Sequence, residues 1–79
     1  MKLCEAIALR VKELLKKNHL TQYSLAQKSG VPQTTISAVV RSLHENVSTT
    51  VLWDIAGGLG VSMKEFYDSP LFQFENVID

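Results

Sequence analysis

The sequence has too little of several residue types for the sites on which many small proteins depend. Its single cysteine, Cys4, cannot form an intrachain disulfide, which excludes a disulfide framework and favours a reducing environment. The two histidines, His19 and His44, are far apart, and no cysteines or paired carboxylates stand at metal-ligand spacing around them. We therefore expect no metal, no cofactor and no enzymatic activity.

Long apolar runs are also lacking. Charged residues interrupt every apolar stretch well before the roughly 20 residues that a membrane-spanning helix requires, and no signal-peptide pattern is evident. We therefore expect no membrane association and a cytoplasmic location. The 79 residues are enough for one small domain, and 46% hydrophobic residues can form its core without disulfides or metal.

A third quantity that is lacking is net charge, since eight basic residues are balanced by eight acidic ones. A neutral chain argues mildly against nucleic-acid binding, because contacts to phosphate supply most non-specific affinity. The charges are divided unevenly, however. Residues 1–44 carry a net charge of +5, and residues 45–79 carry −5. The basic half could therefore meet an anionic partner by itself.

Apolar residues recur at helical spacing and predict an all-α fold. A first helix is expected from about Leu3 to Asn18, with one buried stripe. That stripe comprises Leu3, Ile7, Val11, Leu14 and Leu15. A fourth helix is predicted to begin after the N-cap Ser48 and to end at Gly60. A capping box formed by Ser62 and Glu65 predicts a short fifth helix, anchored by Phe66.

The segment between them, residues 21–41, reads as two short helices joined by a tight turn. Thr21 is a suitable N-cap for a helix from Gln22 to about Ser29. Gly30 supplies the left-handed residue that ends this helix, and Pro32 suits the first position of the next one. The second of these helices would expose short polar and amide side chains, which can read the edges of bases.

From about Ile7 to Phe66 the chain resembles the phage repressor and Cro-type (XRE) family of helix-turn-helix proteins. The residues that carry the resemblance are Thr21-Gln22, Leu25-Ala26, Gly30-Val31-Pro32 and Thr35-Ile36-Ser37. The resemblance implies a five-helix, lambda-repressor-like domain in which helices 2 and 3 form the helix-turn-helix. It also implies a transcriptional regulator, expected to be a repressor, that binds double-stranded DNA at a palindromic operator as a homodimer.

The resemblance also assigns roles to individual residues. Gln22 would approach a phosphate at the start of helix 2, Gln33 would read an adenine, and Arg41 would hold a phosphate. Thr35 either faces helix 2 or touches the phosphate backbone. The full set of implied DNA-binding residues is Thr21, Gln22, Gln33, Thr34, Thr35, Ser37, Ala38 and Arg41.

The chain departs from the family pattern at three positions. Leu15 and Val40 stand where the family often pairs a buried arginine with a glutamate. An apolar pair keeps the helices in contact without an orphan charge, but it removes an arginine that could reach phosphate. Arg10, one turn earlier, is a candidate to replace it. Ser42 stands where family members often have a glycine after helix 3.

Residues 1–68 are expected to form the DNA-binding domain, followed by an unusually apolar tail at residues 69–79. The tail either folds back over Trp53 and Phe66 or, as we favour, buries itself in a second subunit. Gly57 and Gly58 weaken helix 4 and mark a place where another helix can approach closely. The expected dimerisation residues are Trp53, Gly57, Leu71, Phe72 and Phe74.

Two other functions fit the same residues. The chain could be an antitoxin that represses its own operon and grips a toxin with the apolar tail. It could also be a protein-interaction module that kept the fold and lost DNA binding.

Overall fold

The computed structural model describes all 79 residues and contains five α-helices, one 3-10 turn and no strand. The helices are α1 (Leu3–Lys17), α2 (Gln22–Ser29), α3 (Gln33–Val40), α4 (Thr49–Leu59) and α5 (Met63–Tyr67), and the 3-10 turn is Pro70–Phe72. The all-α, five-helix prediction is confirmed. Two predicted bounds shift by one residue: α1 ends at Lys17, and Pro32 is the extended N-cap of α3 (ψ 141°) rather than its first helical residue.

One core cluster of 13 buried apolar residues joins all five helices. Its largest fully buried side chains are Phe66, Leu25, Ile36, Ile55 and Val11. Leu15 and Val40 both lie in this cluster, so the apolar pair takes the place of an ion pair as expected. The prediction that Leu3 belongs to the buried stripe of α1 is wrong. Leu3 is 37% exposed, and the core cluster begins at Ile7, one turn further along α1.

Two helices approach each other closely at Gly58, where α4 packs on α2. A Cβ atom added to Gly58 would lie 2.7 Å from Ser29 Cβ and 2.9 Å from Leu25 Cδ1. A Cβ added to Gly57 would meet no atom within 4 Å. The predicted close packing is therefore confirmed at Gly58, and Gly57 faces open space.

Four helices end in a left-handed residue, and only two of these residues are glycines. Gly30 and Gly60 have φ near +76° and +77°, as predicted, while His19 and Ser42 adopt φ of +55° and +54°. At Ser42 the backbone N–H groups of residues 42 and 43 donate to the Val39 and Ala38 carbonyls, at 3.1 and 3.0 Å. Such bonds satisfy the last carbonyls of a helix, and they hold a conformation that disfavours Cβ by about 1–2 kcal/mol.

The expectation that Arg10 reaches phosphate is wrong. Its guanidinium donates through Nε to the Phe66 carbonyl at 2.7 Å, and through Nη2 to the carbonyls of Glu65 at 2.7 Å and Asp68 at 3.4 Å. It also pairs with Glu13, and only 13% of its side chain is exposed. Carbonyls at the end of a helix lack the donors of a further turn, and Arg10 supplies donors to them from α1, in addition to the Asp68 N–H that bonds the Glu65 carbonyl.

The tail folds back in part. Phe72 lies against Phe66 and Tyr67, with ring centroids 6.1 and 4.7 Å apart, and burial raises the pKa of Tyr67. The chain then returns to the start of α1, where the Asp79 carboxylate accepts from the Leu3 N–H at 3.0 Å. Phe74 remains 98% exposed.

None of the helices combines the length and the apolar character needed to cross a membrane.

Candidate nucleic-acid interface

Local bonds hold α2 at both of its ends. The Thr21 hydroxyl accepts from the Ser24 N–H at 3.0 Å and lies 3.0 Å from the Ser24 hydroxyl, which confirms Thr21 as the N-cap. At the other end, Gly30 is left-handed, and the Val31 N–H donates to the Ser29 hydroxyl at 3.1 Å. Val31 is buried below the turn. The start of α3 is therefore fixed relative to α2.

One face of α3 is open to solvent. Gln33, Thr34 and Arg41 are exposed, while Ser37 and Ala38 are half-buried. The side-chain hydrogen bonds of the motif belong to Thr21, Ser24 and Ser29, and both ion pairs of the chain lie elsewhere. The polar side chains on this face of α3 thus keep all their donors and acceptors free for a ligand.

Thr35 borders the segment that follows α3. It is half-buried and lines a hollow of about 210 Å³, which we call the loop hollow. The loop hollow is lined by Thr35, Ala38, Val39, His44, Asn46, Val47, Ser48 and Val51. The loop hollow extends from α3 to the N-terminus of α4. Thr35 therefore borders the segment after α3, and its contact with the phosphate backbone stays a prediction.

Ion pairing leaves most of the positive charge of the basic half free. Lys2 pairs with Glu45 at 2.5 Å, and the hydrogen bond and charge of Glu45 raise the pKa of Lys2. Arg10 is held by α5 and Glu13. The basic side chains that remain exposed and outside any ion pair in this half are Lys12, Lys16, Lys17, Lys28 and Arg41.

A second exposed surface lies on α4, away from the motif. Trp53 is 67% exposed and lines a shallow groove of about 200 Å³ with Gly57, one helical turn later. The other three expected dimerisation residues are not part of this groove. Leu71 and Phe72 are half-buried in the tail, and Phe74 is exposed beyond them.

Tyr23 is an exposed residue of the motif to which the sequence assigned no role. Its side chain is 60% exposed, and it lines a hollow of about 400 Å³, the turn hollow, together with Gln33 at the start of α3. The turn hollow is lined by Tyr23, Ala26, Gln27, Gly30, Val31, Pro32 and Gln33. The available signal in the sequence was an aromatic residue on the polar side of a short helix, directly after Gln22.

Comparison with known proteins supports this description of the motif. A family model described as helix-turn-helix matches residues 11–66. The crystal structure of the wild-type restriction-modification controller protein C.Esp1396I is 29% identical, with 86% of this chain and 88% of that chain covered and a TM-score of 0.79. A mutant of that controller with a tyrosine replaced by phenylalanine is 30% identical over 86% and 87% of the two chains, also with a TM-score of 0.79. No curated protein sequence matches the chain.

Proposed function

Because the chain belongs to the XRE-type helix-turn-helix family of DNA-binding transcription regulators, we propose that it is a repressor that binds a specific palindromic operator as a homodimer. The observation that carries the proposal is the open face of α3. It presents polar side chains without internal partners, directly after a turn that fixes the helix in place. These are the requirements for a helix that reads the major groove N-terminus first.

Base recognition falls to the first turns of α3. The Gln33 amide can donate to N7 and accept from N6 of the same adenine when the amide lies in the plane of the base, and an exposed side chain can meet that condition. Thr34 offers a hydroxyl to a base edge or a methyl group to thymine. Ser37 lies one turn later and can reach a base or a phosphate. Ala38 contributes only a methyl group.

Contacts to phosphate would surround these base contacts. Gln22 begins α2, whose free N–H groups attract an anion, and Arg41 ends α3 with an unpaired guanidinium. Thr21 contributes by holding the start of α2 in place, because its hydroxyl is already bonded to Ser24. Thr35 lines the loop hollow, and its hydroxyl would offer a further contact to the phosphate backbone.

The first prediction separates base reading from phosphate binding. Gln33→Ala should cost about 1–3 kcal/mol on the operator and nearly nothing on DNA in which that one base pair is changed. Arg41→Ala should weaken binding to all sequences and lower the salt slope of log K by about one. Both are measured by titrating a fluorescent duplex at several salt concentrations. An equal loss from Gln33→Ala on operator and random DNA, or an unchanged salt slope for Arg41→Ala, would contradict these roles.

A homodimer would place two copies of α3 in successive major grooves, about 34–36 Å apart. The proposed contact is the α4 groove, where Trp53 projects beside the open surface of Gly57. Phe74 is a second candidate contact, since a fully exposed phenylalanine is costly in water. Leu71 and Phe72 would instead support this surface from within the tail. A single reading helix with short neutral side chains has limited specificity, which favours a doubled arrangement.

The second prediction tests the dimer. Trp53→Ser should raise the dimer dissociation constant about 30-fold, which corresponds to a central aromatic contact of about 2 kcal/mol. Phe74→Ser should act in the same direction. Leu9→Ser provides a matched control, because Leu9 is an exposed apolar residue on α1. Sedimentation velocity across micromolar concentrations measures the result, and equal dissociation constants for all three variants would exclude the α4 groove.

The structural match favours one finer candidate function. C.Esp1396I is a restriction-modification controller, and this chain covers most of its length. We therefore propose control of restriction-modification genes as the regulatory role. Selection of bound sequences from a random duplex pool would define the operator. Its occurrence upstream of an endonuclease or methyltransferase gene would support this role, and its restriction to unrelated promoters would contradict it.

The two other functions remain distinguishable from repression. An antitoxin would co-purify with a small toxin and would lose it when Phe74, the most exposed apolar side chain, is replaced. A protein-interaction module would show no salt-dependent retention by DNA. The free polar side chains of α3 and the unpaired Arg41 favour DNA binding over both alternatives.

A further inference from the structure

We propose that Tyr23 is a positioning residue for base recognition, whose ring restricts the Gln33 side chain to the orientation that reads DNA. This inference rests on the proposed function, because it gives Gln33 the base contact. The inference gives a role in DNA recognition to a residue of α2 for which the sequence pattern predicted none. The ring of Tyr23, rather than its hydroxyl, is the active part.

The geometry of the turn hollow brings the two side chains to one place. Tyr23 lies in the first turn of α2 and Gln33 is the first residue of α3, and both line this hollow. The turn between them is rigid, with Gly30 left-handed at φ +76° and Pro32 extended at ψ 141°. Val31 is buried and anchors the turn in the core. The two walls of the hollow therefore keep a fixed separation.

Neither side chain has another role inside the protein. Tyr23 is 60% exposed and is not part of the aromatic cluster, which consists of Phe66, Tyr67 and Phe72. Gln33 is exposed at the first position of α3, and its side chain forms no hydrogen bond within the protein. The polar side chains that line the hollow beside the Tyr23 ring are those of Gln27 and Gln33, and of these only Gln33 belongs to α3.

Restriction of Gln33 would improve discrimination between bases. A glutamine that forms two bonds with one base loses rotamer freedom, and it loses this freedom only on the correct base. A rigid aromatic wall reduces that loss in advance, because a tyrosine side chain has only two rotatable angles. Tyr23 would therefore strengthen binding to the operator more than binding to a duplex with the base pair changed.

The test is a double-mutant cycle with Tyr23→Ala and Gln33→Ala, on the selected operator and on the operator with the Gln33 base pair changed. Tyr23→Ala should lower discrimination at that base pair about two- to tenfold, in line with the ordering cost of one long side chain. Tyr23→Phe keeps the ring and should retain discrimination. Gln27→Ala is the control, since Gln27 lines the same hollow one helical turn later without a ring. In the Gln33→Ala background, Tyr23→Ala should have no further effect on discrimination.

The outcomes distinguish a failure of the base-reading role of Gln33 from a failure of the positioning role of Tyr23. If Gln33→Ala leaves discrimination unchanged, the base-reading role itself fails. If Gln33→Ala lowers discrimination and Tyr23→Ala does not, Gln33 reads DNA without Tyr23 and the inference is overturned. Equal losses from Tyr23→Ala and Gln27→Ala would also overturn it, because the effect would then belong to the hollow as a whole. Unfolding curves for each variant ensure that the folded protein is being compared.

Discussion

Replacing Gly58 with alanine should lower the free energy of unfolding by about 2 kcal/mol. The new Cβ would lie 2.7 Å from Ser29 Cβ and 3.1 Å from Ser29 Cα, so the α2 backbone itself must move. Overpacking of this kind costs about 1–3 kcal/mol, and the higher helix propensity of alanine offsets up to about 1 kcal/mol of it. The α2–α4 contact is the most extensive between helices in the fold, which limits how far it can relax.

Gly57 provides a control from the adjacent position in the same helix. Alanine there meets no atom within 4 Å and should raise the free energy of unfolding by about 0.5–1 kcal/mol through helix propensity alone. The two variants should therefore differ in melting temperature by more than about 10 °C for a domain of this size. Thermal unfolding followed by circular dichroism at several protein concentrations separates folding from association. Equal melting temperatures for the pair would contradict the close crossing at Gly58.

Replacing Arg10 with methionine should lower the free energy of unfolding by about 2–3 kcal/mol. Methionine keeps most of the apolar volume, but the carbonyls of Phe66 and Asp68 lose the guanidinium donor, and the Glu65 carbonyl keeps only the Asp68 N–H. Hydrogen bonds from a charged donor contribute about 1.5–3 kcal/mol when they are shielded from water, and the Arg10 side chain is only 13% exposed. Chemical denaturation measures the loss. Hydrogen exchange should locate it at α5 and the 3-10 turn.

Glu13→Gln is the matched control for the Arg10 prediction. This substitution removes the charge of Glu13, whose side chain is 55% exposed, and leaves the bonds from Arg10 to the α5 carbonyls in place. It should lower the free energy of unfolding by less than about 1 kcal/mol. Arg10→Lys should restore little of the loss, because one ammonium group cannot reproduce the planar fork that bonds carbonyls through Nε and Nη2. If Arg10→Met changes the salt slope of DNA binding and leaves stability intact, Arg10 contacts phosphate after all.

Much of the backbone arrangement could be predicted because its causes are local. The Thr21 cap, the left-handed Gly30 and the capping box of Ser62 with Glu65 each depend on groups within about four residues of one another. Apolar spacing likewise indicated the inner faces of the helices, from Val11 to Phe66. The left-handed ends at His19 and Ser42 were harder to predict, since neither residue is a glycine and the backbone bonds that hold them are not visible in the residue types.

In the candidate site, too, some features could be predicted from local sequence and others depended on tertiary packing. The exposed face of α3 follows from its own periodicity, and the matched family supports its role in DNA-binding regulation. Whether Thr35 faces α2 or the segment after α3 depended on the packing of that segment, which shows no periodicity. The place of Tyr23 beside Gln33 depended on the angle between two helices. Both positions depend on how separate segments pack against each other, and the residue pattern within one helix does not determine that packing.

Arg10 and the two adjacent glycines of α4 show most clearly what the sequence could not determine without the tertiary structure. Arg10 reads as a free basic side chain on α1, yet its partners lie more than 50 residues further along, at the end of α5. Gly57 and Gly58 are the same residue type in the same helix, and only the position of α2 makes one indispensable and the other replaceable. The sequence alone determined the helices, their caps and the recognition motif, because these depend on neighbours in the chain. The tertiary structure decided which charges are free and which glycines are packed, because those depend on what lies opposite.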